Sequence, residues 1–73
     1  LRRYPRNRLV RHLVVLLNDP ADLVRRFGVD ALRRLKSSAA LGNLVRTARS
    51  DPDWWVRERA VEALGAIGDS RAI

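Results

Sequence analysis

A chain of seventy-three residues with a formal charge of +7, one histidine and no cysteine makes at most one small domain with a marginal apolar core. It has no disulfide framework and no thiolate metal site, and His12 alone cannot build a metal centre. Its longest apolar run, Leu13 to Leu17, is too short to span a bilayer, and the start Leu1-Arg2-Arg3-Tyr4-Pro5 lacks the apolar stretch of a signal peptide, so a soluble, cytoplasmic protein with no membrane partner is expected. Leu1 in place of an initiator methionine is read as the mark of a chain processed or excised from something longer.

After a basic arm at 1–7, Leu9, Leu13, Leu16 and Leu17 recur at helical spacing and stop at Asn18-Asp19-Pro20, which predicts a first helix over 8–18. Val10, Val14 and Val15 lie off its leucine face. This helix is therefore apolar almost all round and is expected to be covered by further residues, by the Arg2 to Arg8 arm, or by a second copy of the chain. Leu23, Val24, Phe27, Ala31, Leu32 and Leu35 form the wide stripe of a second helix from Asp22 to Leu35, with Arg33, Arg34 and Lys36 placed to offset its dipole. Ser37 or Ser38 is expected to cap a third helix, in which Leu41, Leu44, Val45 and Ala48 share a face opposite Asn43, Arg46 and Ser50. Asp51 is expected to cap a fourth, with Pro52 at its first position, a stripe of Val56, Ala60, Ala63, Leu64 and Ile67, and an end near Gly65 to Gly68. No strand pattern competes.

Residues 19–32 and 51–64 are identical at seven of fourteen positions, among them Asp-Pro, Val-Arg and Ala-Leu pairs, at a step of 32 residues. Units of that size cannot bury their own apolar face and stabilise one another by stacking. The expected fold is an all-α solenoid of antiparallel helix pairs, about two repeats long, in the order B, A, B, A. The segments are the arm 1–7, a B helix 8–18, a first repeat 19–50 and a truncated second repeat 51–73, where Ser70-Arg71-Ala72-Ile73 opens another B helix. This register puts His12 at the place of Leu44, a buried or interface position. It also makes Leu64 a core leucine, whose truncation to alanine would cost about 2–5 kcal/mol.

The pattern Asp51-Pro52-Asp53-x-x-Val56-Arg57-x-x-Ala60-x-x-Ala63-Leu64-Gly65-x-x-Gly68-Asp69 resembles the HEAT-like repeat of the phycobilisome-lyase type. The upstream unit keeps Asp19-Pro20, Val24-Arg25 and Ala31-Leu32 but replaces the terminal Leu-Gly-x-x-Gly-Asp with Leu32-Arg33-Arg34-Leu35-Lys36-Ser37. The resemblance implies two antiparallel helices per unit, a small residue at the helix crossing marked by Gly28 and Ala60, and an inner surface lined by B helices that binds another macromolecule. It does not imply lyase activity.

Asp19, Arg25, Asp51 and Arg57 recur in register. A catalytic pair is needed once, so these residues are read as a structural ladder in which each Arg reaches a carboxylate or loop carbonyl of its own or the neighbouring repeat. No catalytic, cofactor-binding or metal site emerges. Trp54 and Trp55 replace Asp22 and Leu23 of the upstream unit, and adjacent helical residues diverge by about 100°, so both cannot fill one pocket and one is expected to serve as a binding anchor.

Positive charge is segmental: residues 1–18 carry five arginines and no acid and residues 33–50 four arginines, one lysine and no acid, whereas 19–32 sum to −1 and 51–73 to −2. On B helices Arg11, Asn43 and Arg46 would face the inner surface, with Arg8, Arg49 and the arm at its rim. The reading that follows is a non-enzymatic HEAT-like scaffold that binds a protein, self-associates through its apolar first helix, or forms part of a longer solenoid. Two alternatives stand beside it. Arg11, Arg46, Arg49 and the N-terminal arginines Arg2, Arg3 and Arg6 could hold nucleic-acid phosphates without reading sequence, although Val14 interrupts the basic stripe and no aromatics interleave it. An accessory role beside a chromophore lyase is implied by kinship alone.

Overall fold

The computed structural model describes residues 5–71, with side chains described as far as Gly68. Arg2, Arg3, Ala72 and Ile73 lie outside the described residues. Four α-helices, α1 (Arg6–Leu16), α2 (Asp22–Leu35), α3 (Leu41–Ser50) and α4 (Trp54–Arg71), are joined by short loops, with a 3-10 turn Ser38–Ala40 leading into α3. Among the described residues there is no strand. α1 packs on α2, α3 packs on α4, and α4 also lies along α2. The smallest dimension is 15 Å, the depth of two helix layers with axes about 9 Å apart.

Helices α2 and α4 each carry two apolar stripes, and the two stripes have different fates. The first runs through Val24, Gly28, Ala31 and Leu35 in α2 and through Val56, Ala60, Ala63 and Ile67 in α4. The four α4 residues are fully buried. A Cβ at Gly28 would lie 3.1 Å from Leu16 Cβ and 3.3 Å from the Leu13 carbonyl oxygen, so α1 crosses α2 at a distance that only a very small residue leaves open. The second stripe, one residue further round, is Arg25, Val29 and Leu32 in α2. All three are buried, Val29 and Leu32 completely, because α4 and the α3 hairpin cover them. Its α4 counterpart is Arg57, Val61 and Leu64, where Val61 is 54% exposed and Arg57 and Leu64 are half-buried.

Leu64 is thus not a core leucine. The residue with that role is Leu32, and identity at the repeat step did not carry burial with it because nothing among the described residues stacks on α4 as α4 stacks on α2.

Helices α1 and α3 depart from the repeat step in another way. α2 and α4 start at Asp22 and Trp54, 32 apart, whereas α1 and α3 end at Leu16 and Ser50, 34 apart. The extra two residues sit in the loop after α1. Burial in α1 follows this longer step: Val10, Leu13 and Leu17 are buried at the places of Leu44, Thr47 and Asp51. His12 falls at the place of Arg46, not of Leu44, and is exposed rather than buried. For the same reason Val10 is core, and Val15, at 65%, is exposed. In α3 the buried line is Ala40, Leu44 and Thr47, while Val45 is 39% exposed. Thr47 is tolerated there because its hydroxyl donates to the Asn43 carbonyl at 3.0 Å.

Helix ends also differ from the expected ones. Neither Ser37 nor Ser38 caps α3 with its side chain; the chain enters through the 3-10 turn instead. α2 ends on Lys36 in the left-handed conformation, φ 50° and ψ 44°, with its N–H donating to the Arg33 carbonyl. Arg6 donates to the Leu35 carbonyl, a cation at the negative end of α2. α4 runs through Gly65 and Gly68 to Arg71, taking in Ser70 and Arg71, which the repeat pattern had assigned to a further B helix. An interior glycine costs a helix about 1 kcal/mol relative to alanine, and the fully buried Ala63 and Ile67 anchor the turns on either side.

Leu32→Ala should destabilise the fold by about 2–5 kcal/mol and Leu64→Ala by less than half of that, since only the first leaves a cavity in a closed core; urea unfolding followed by circular dichroism compares the two. Lys36→Gly should raise stability by about 0.5–1 kcal/mol, because a left-handed non-glycine residue costs about 1–2 kcal/mol, part of it offset by the greater freedom of glycine in the unfolded chain. A lowered urea midpoint for Lys36→Gly would contradict the C-cap assignment.

Candidate functional site

Two features are built by these elements: a polar junction between the repeats and a groove between α1 and α3. At the junction both Asp-Pro turns have the same geometry. Asp19 Oδ1 accepts the Ala21 N–H at 2.9 Å, and Asp51 Oδ1 accepts the Asp53 N–H at 2.9 Å. These are Asx turns that set up a helix start three residues on, not N-caps. The cap of α4 is Asp53, whose Oδ1 accepts the Trp55 N–H at 3.0 Å, and Ala21 precedes α2 with no side-chain cap.

From within α2, Arg25 reaches back and forward together. One terminal nitrogen donates to the carbonyls of Asp19 at 2.7 Å and Pro20 at 3.0 Å, in its own turn. The other edge of the guanidinium pairs with the next repeat: Nε donates to Asp51 Oδ2 at 2.8 Å and Nη2 to Asp51 Oδ1 at 3.2 Å. Only 10% of the Arg25 side chain and 4% of the Asp51 side chain are exposed. A bidentate guanidinium–carboxylate pair fits this site in a way that a lysine would not. Arg57 repeats the first half of the arrangement, donating to the Asp51 carbonyl at 2.7 Å. Its Nε and Nη2 hold no carboxylate among the described residues, and neither does Asp19 meet a guanidinium side chain.

The tryptophans lie at the edge of the same junction. Their rings meet edge to face, with centroids 5.3 Å apart. Trp55 is flanked by two guanidinium groups, Arg26 at 5.2 Å and Arg59 at 5.4 Å. Arg26 belongs to α2, so this cation–π contact ties α4 to α2, as does the Arg59–Asp30 pair at 3.4 Å. Trp54 stays 61% exposed. Nothing in the 32-residue identity pointed to the Trp55 clamp, since Leu23 and Phe27 occupy the corresponding places.

The second feature is a groove of about 550 Å³ lined by Arg6, Asn7, Val10, Arg11, Val14, Ser37, Ala39 and Asn43. Its floor is apolar and its edges carry two guanidinium groups. Of the basic residues expected on one surface, the structure brings Arg11 and Asn43 together here. It adds Arg6, which sequence reasoning left on the arm because α1 was expected to begin later. Arg46 donates to Asn43 Oδ1 at 3.0 Å but lines a separate hollow beside the Asp19 and Asp51 turns. Arg8 and Arg49 are exposed and line neither cavity. Among the described residues no three His, Cys, Asp or Glu side chains gather to hold a metal ion, and no helix is long and apolar enough to cross a membrane.

A family model for HEAT repeats matches residues 10–73. The chain belongs to the HEAT-repeat family, whose members generally serve as scaffolds for protein–protein contact. No curated protein and no solved structure gives a significant match.

Asp51→Ala should cost about 3–5 kcal/mol, because it strands a buried guanidinium. Asp19→Ala should cost about 1 kcal/mol, the loss of one turn hydrogen bond. Equal unfolding midpoints for the two variants in guanidinium chloride would show that the junction is not the asymmetric lock described.

Proposed function

We propose that the protein is a non-enzymatic scaffold that holds an acidic, amphipathic segment of a partner protein in the groove between α1 and α3. The observation that carries this reading is the pairing of an apolar floor, Val10, Val14 and Ala39, with the guanidinium groups of Arg6 and Arg11 and the Asn43 amide. An apolar stripe on the partner would bury against the floor while its carboxylates meet the arginines, which is how charge complementarity fixes orientation and speeds encounter.

A nucleic acid fits the same groove less well. Phosphates would find Arg6 and Arg11, but single-stranded bases need aromatic platforms, and the described aromatic residues, Phe27, Trp54 and Trp55, lie on α2 and α4. Kinship with the lyase-type repeat rests on the pattern from Asp51 to Asp69, in which no residue is a chromophore ligand, so a chromophore forms no part of the proposal.

A labelled Leu- and Glu-rich helical peptide should bind, and Arg11→Glu should weaken it by about tenfold or more, while Arg49→Glu changes it less than about twofold. The comparison is an anisotropy titration run beside a labelled duplex DNA and an RNA hairpin at about 50 and 200 mM salt, where phosphate contacts must weaken steeply. Binding of the nucleic acids alone, collapsing with salt, would replace the protein reading with the nucleic-acid one.

A further inference from the structure

The repeat step offers a template for what belongs on the uncovered end of the stack. In the first repeat, Arg25, Val29 and Leu32 are sealed by the hairpin that follows, and the seal includes one specific group, the Asp51 carboxylate at the turn of that hairpin. Moved by one repeat, the same three positions are Arg57, Val61 and Leu64, and they are open: Val61 is 54% exposed where Val29 is 0%. Arg57 has already made the bond to its own turn, at the 2.7 Å that Arg25 shows, and the rest of its guanidinium meets no carboxylate among the described residues. A hairpin with a carboxylate at its turn would close this face.

The other end of the chain carries such a hairpin. α1 and α2 meet at the Asp19 turn, which has the Asx geometry of Asp51 to within the same 2.9 Å bond, and whose carboxylate meets no guanidinium among the described residues. On the outer side of α2, Leu23 and Phe27 are 68% and 62% exposed. They hold the places of Trp55 and Arg59, two of the α4 residues that touch α2 at the existing junction. Beside them lies an apolar groove of about 410 Å³ lined by Leu9, Leu13, Phe27, Ala31 and Leu35 among others. Charge favours the same match, since the α1–α2 hairpin carries exposed Arg8, Arg33 and Arg34 while Glu58 and Glu62 lie on either side of Val61 in α4. The two surfaces are therefore complementary among the described residues: the α1–α2 hairpin offers the turn carboxylate and apolar face that Arg57, Val61 and Leu64 would meet.

We propose that copies of the chain stack head to tail, the α1–α2 hairpin of one copy docking on the Arg57, Val61 and Leu64 face of the next, with Arg57 of one closing on Asp19 of the other. This inference is independent of the α1–α3 groove, because it uses the two ends of the stack. The contact is heterologous and joins unlike surfaces, so it propagates into chains rather than closing as a symmetric dimer. It uses the edges of the stack, in place of the whole apolar girth of the first helix.

The test is sedimentation velocity on the 73-residue chain from micromolar to millimolar concentration, with two single variants, Asp19→Arg and Arg57→Asp. The wild-type mass should climb past the dimer as concentration rises. Each variant alone should remain a monomer, since it retains one matching surface and one repelling surface. An equimolar mixture of the two should associate again and climb past the dimer as an alternating chain. Both contacts between unlike variants are complementary, because the two substituted surfaces meet with their charges exchanged but still opposite and the two unsubstituted surfaces make the wild-type contact, while only like variants repel. Circular dichroism confirms that each variant folds. Should Arg57→Asp fail to fold, Val61→Glu replaces it, a change at an exposed position that should abolish association without loss of helicity. A monomeric wild type over the whole range, association untouched by the variants, or a mixture that stays monomeric would each overturn the proposal.

Discussion

The Asp51 carboxylate is the point at which the two repeats are locked, because every polar group around it is committed. Its N–H donates to the Thr47 carbonyl, closing α3, and its own carbonyl accepts from Arg57. One carboxylate oxygen shapes the turn into α4 while both oxygens hold Arg25. A charge pair this deeply buried is a weak source of net stability, since desolvation cancels much of the attraction, but it is unforgiving of a missing partner. What it secures is register: α4 slides along α2 only by breaking two charge-assisted hydrogen bonds between buried side chains. The apolar stripes on either side, Val29 and Leu32 from one helix and Val56, Ala60 and Ala63 from the other, supply the bulk of the burial but no comparable selection of one alignment.

Seen from that joint, the all-α stack and its helix order were legible because the signals are redundant. α2 could be placed from Asp22 to Leu35 by its apolar spacing, and the Asp-Pro turns mark where two of the four helices begin. What the repeat identity hid was a two-residue difference in the loop after α1. The residues that share a place under the longer step, Val10 with Leu44 and Leu13 with Thr47, are not identical, so no alignment by identity reveals the shift, and His12 was assigned a buried position that it does not have. Leu64 illustrates a second limit. Its neighbours in sequence match those of Leu32, but burial depends on the next unit of the stack, which is a property of neighbours in space. The basic surface was legible only in part: Arg11 and Asn43 share the groove with Arg6, whereas Arg46, one helical turn beyond Asn43, lies toward the other hollow.

The surfaces divide by chemistry. Along the α1–α3 side an apolar floor edged with guanidinium groups suits a segment carrying both leucine-like and acidic side chains. At the α4 end the partly open residues Val61 and Leu64 hold the places of Val29 and Leu32, which the following hairpin buries, so their exposure follows from position in the stack. Trp55 belongs to neither surface, being engaged between Arg26 and Arg59, and Trp54 beside it remains the most exposed aromatic residue of α4.

The most direct measurement is a double-mutant cycle on the lock itself, with Arg25→Met and Asp51→Asn, in which asparagine retains an oxygen for the Asp53 N–H and removes the charge. Unfolding free energies of the four proteins should give a coupling of about 1.5–3 kcal/mol, the range of residues sharing one buried network. A coupling within about 0.5 kcal/mol of zero would mean that the two side chains act independently and that apolar packing alone sets how the repeats align.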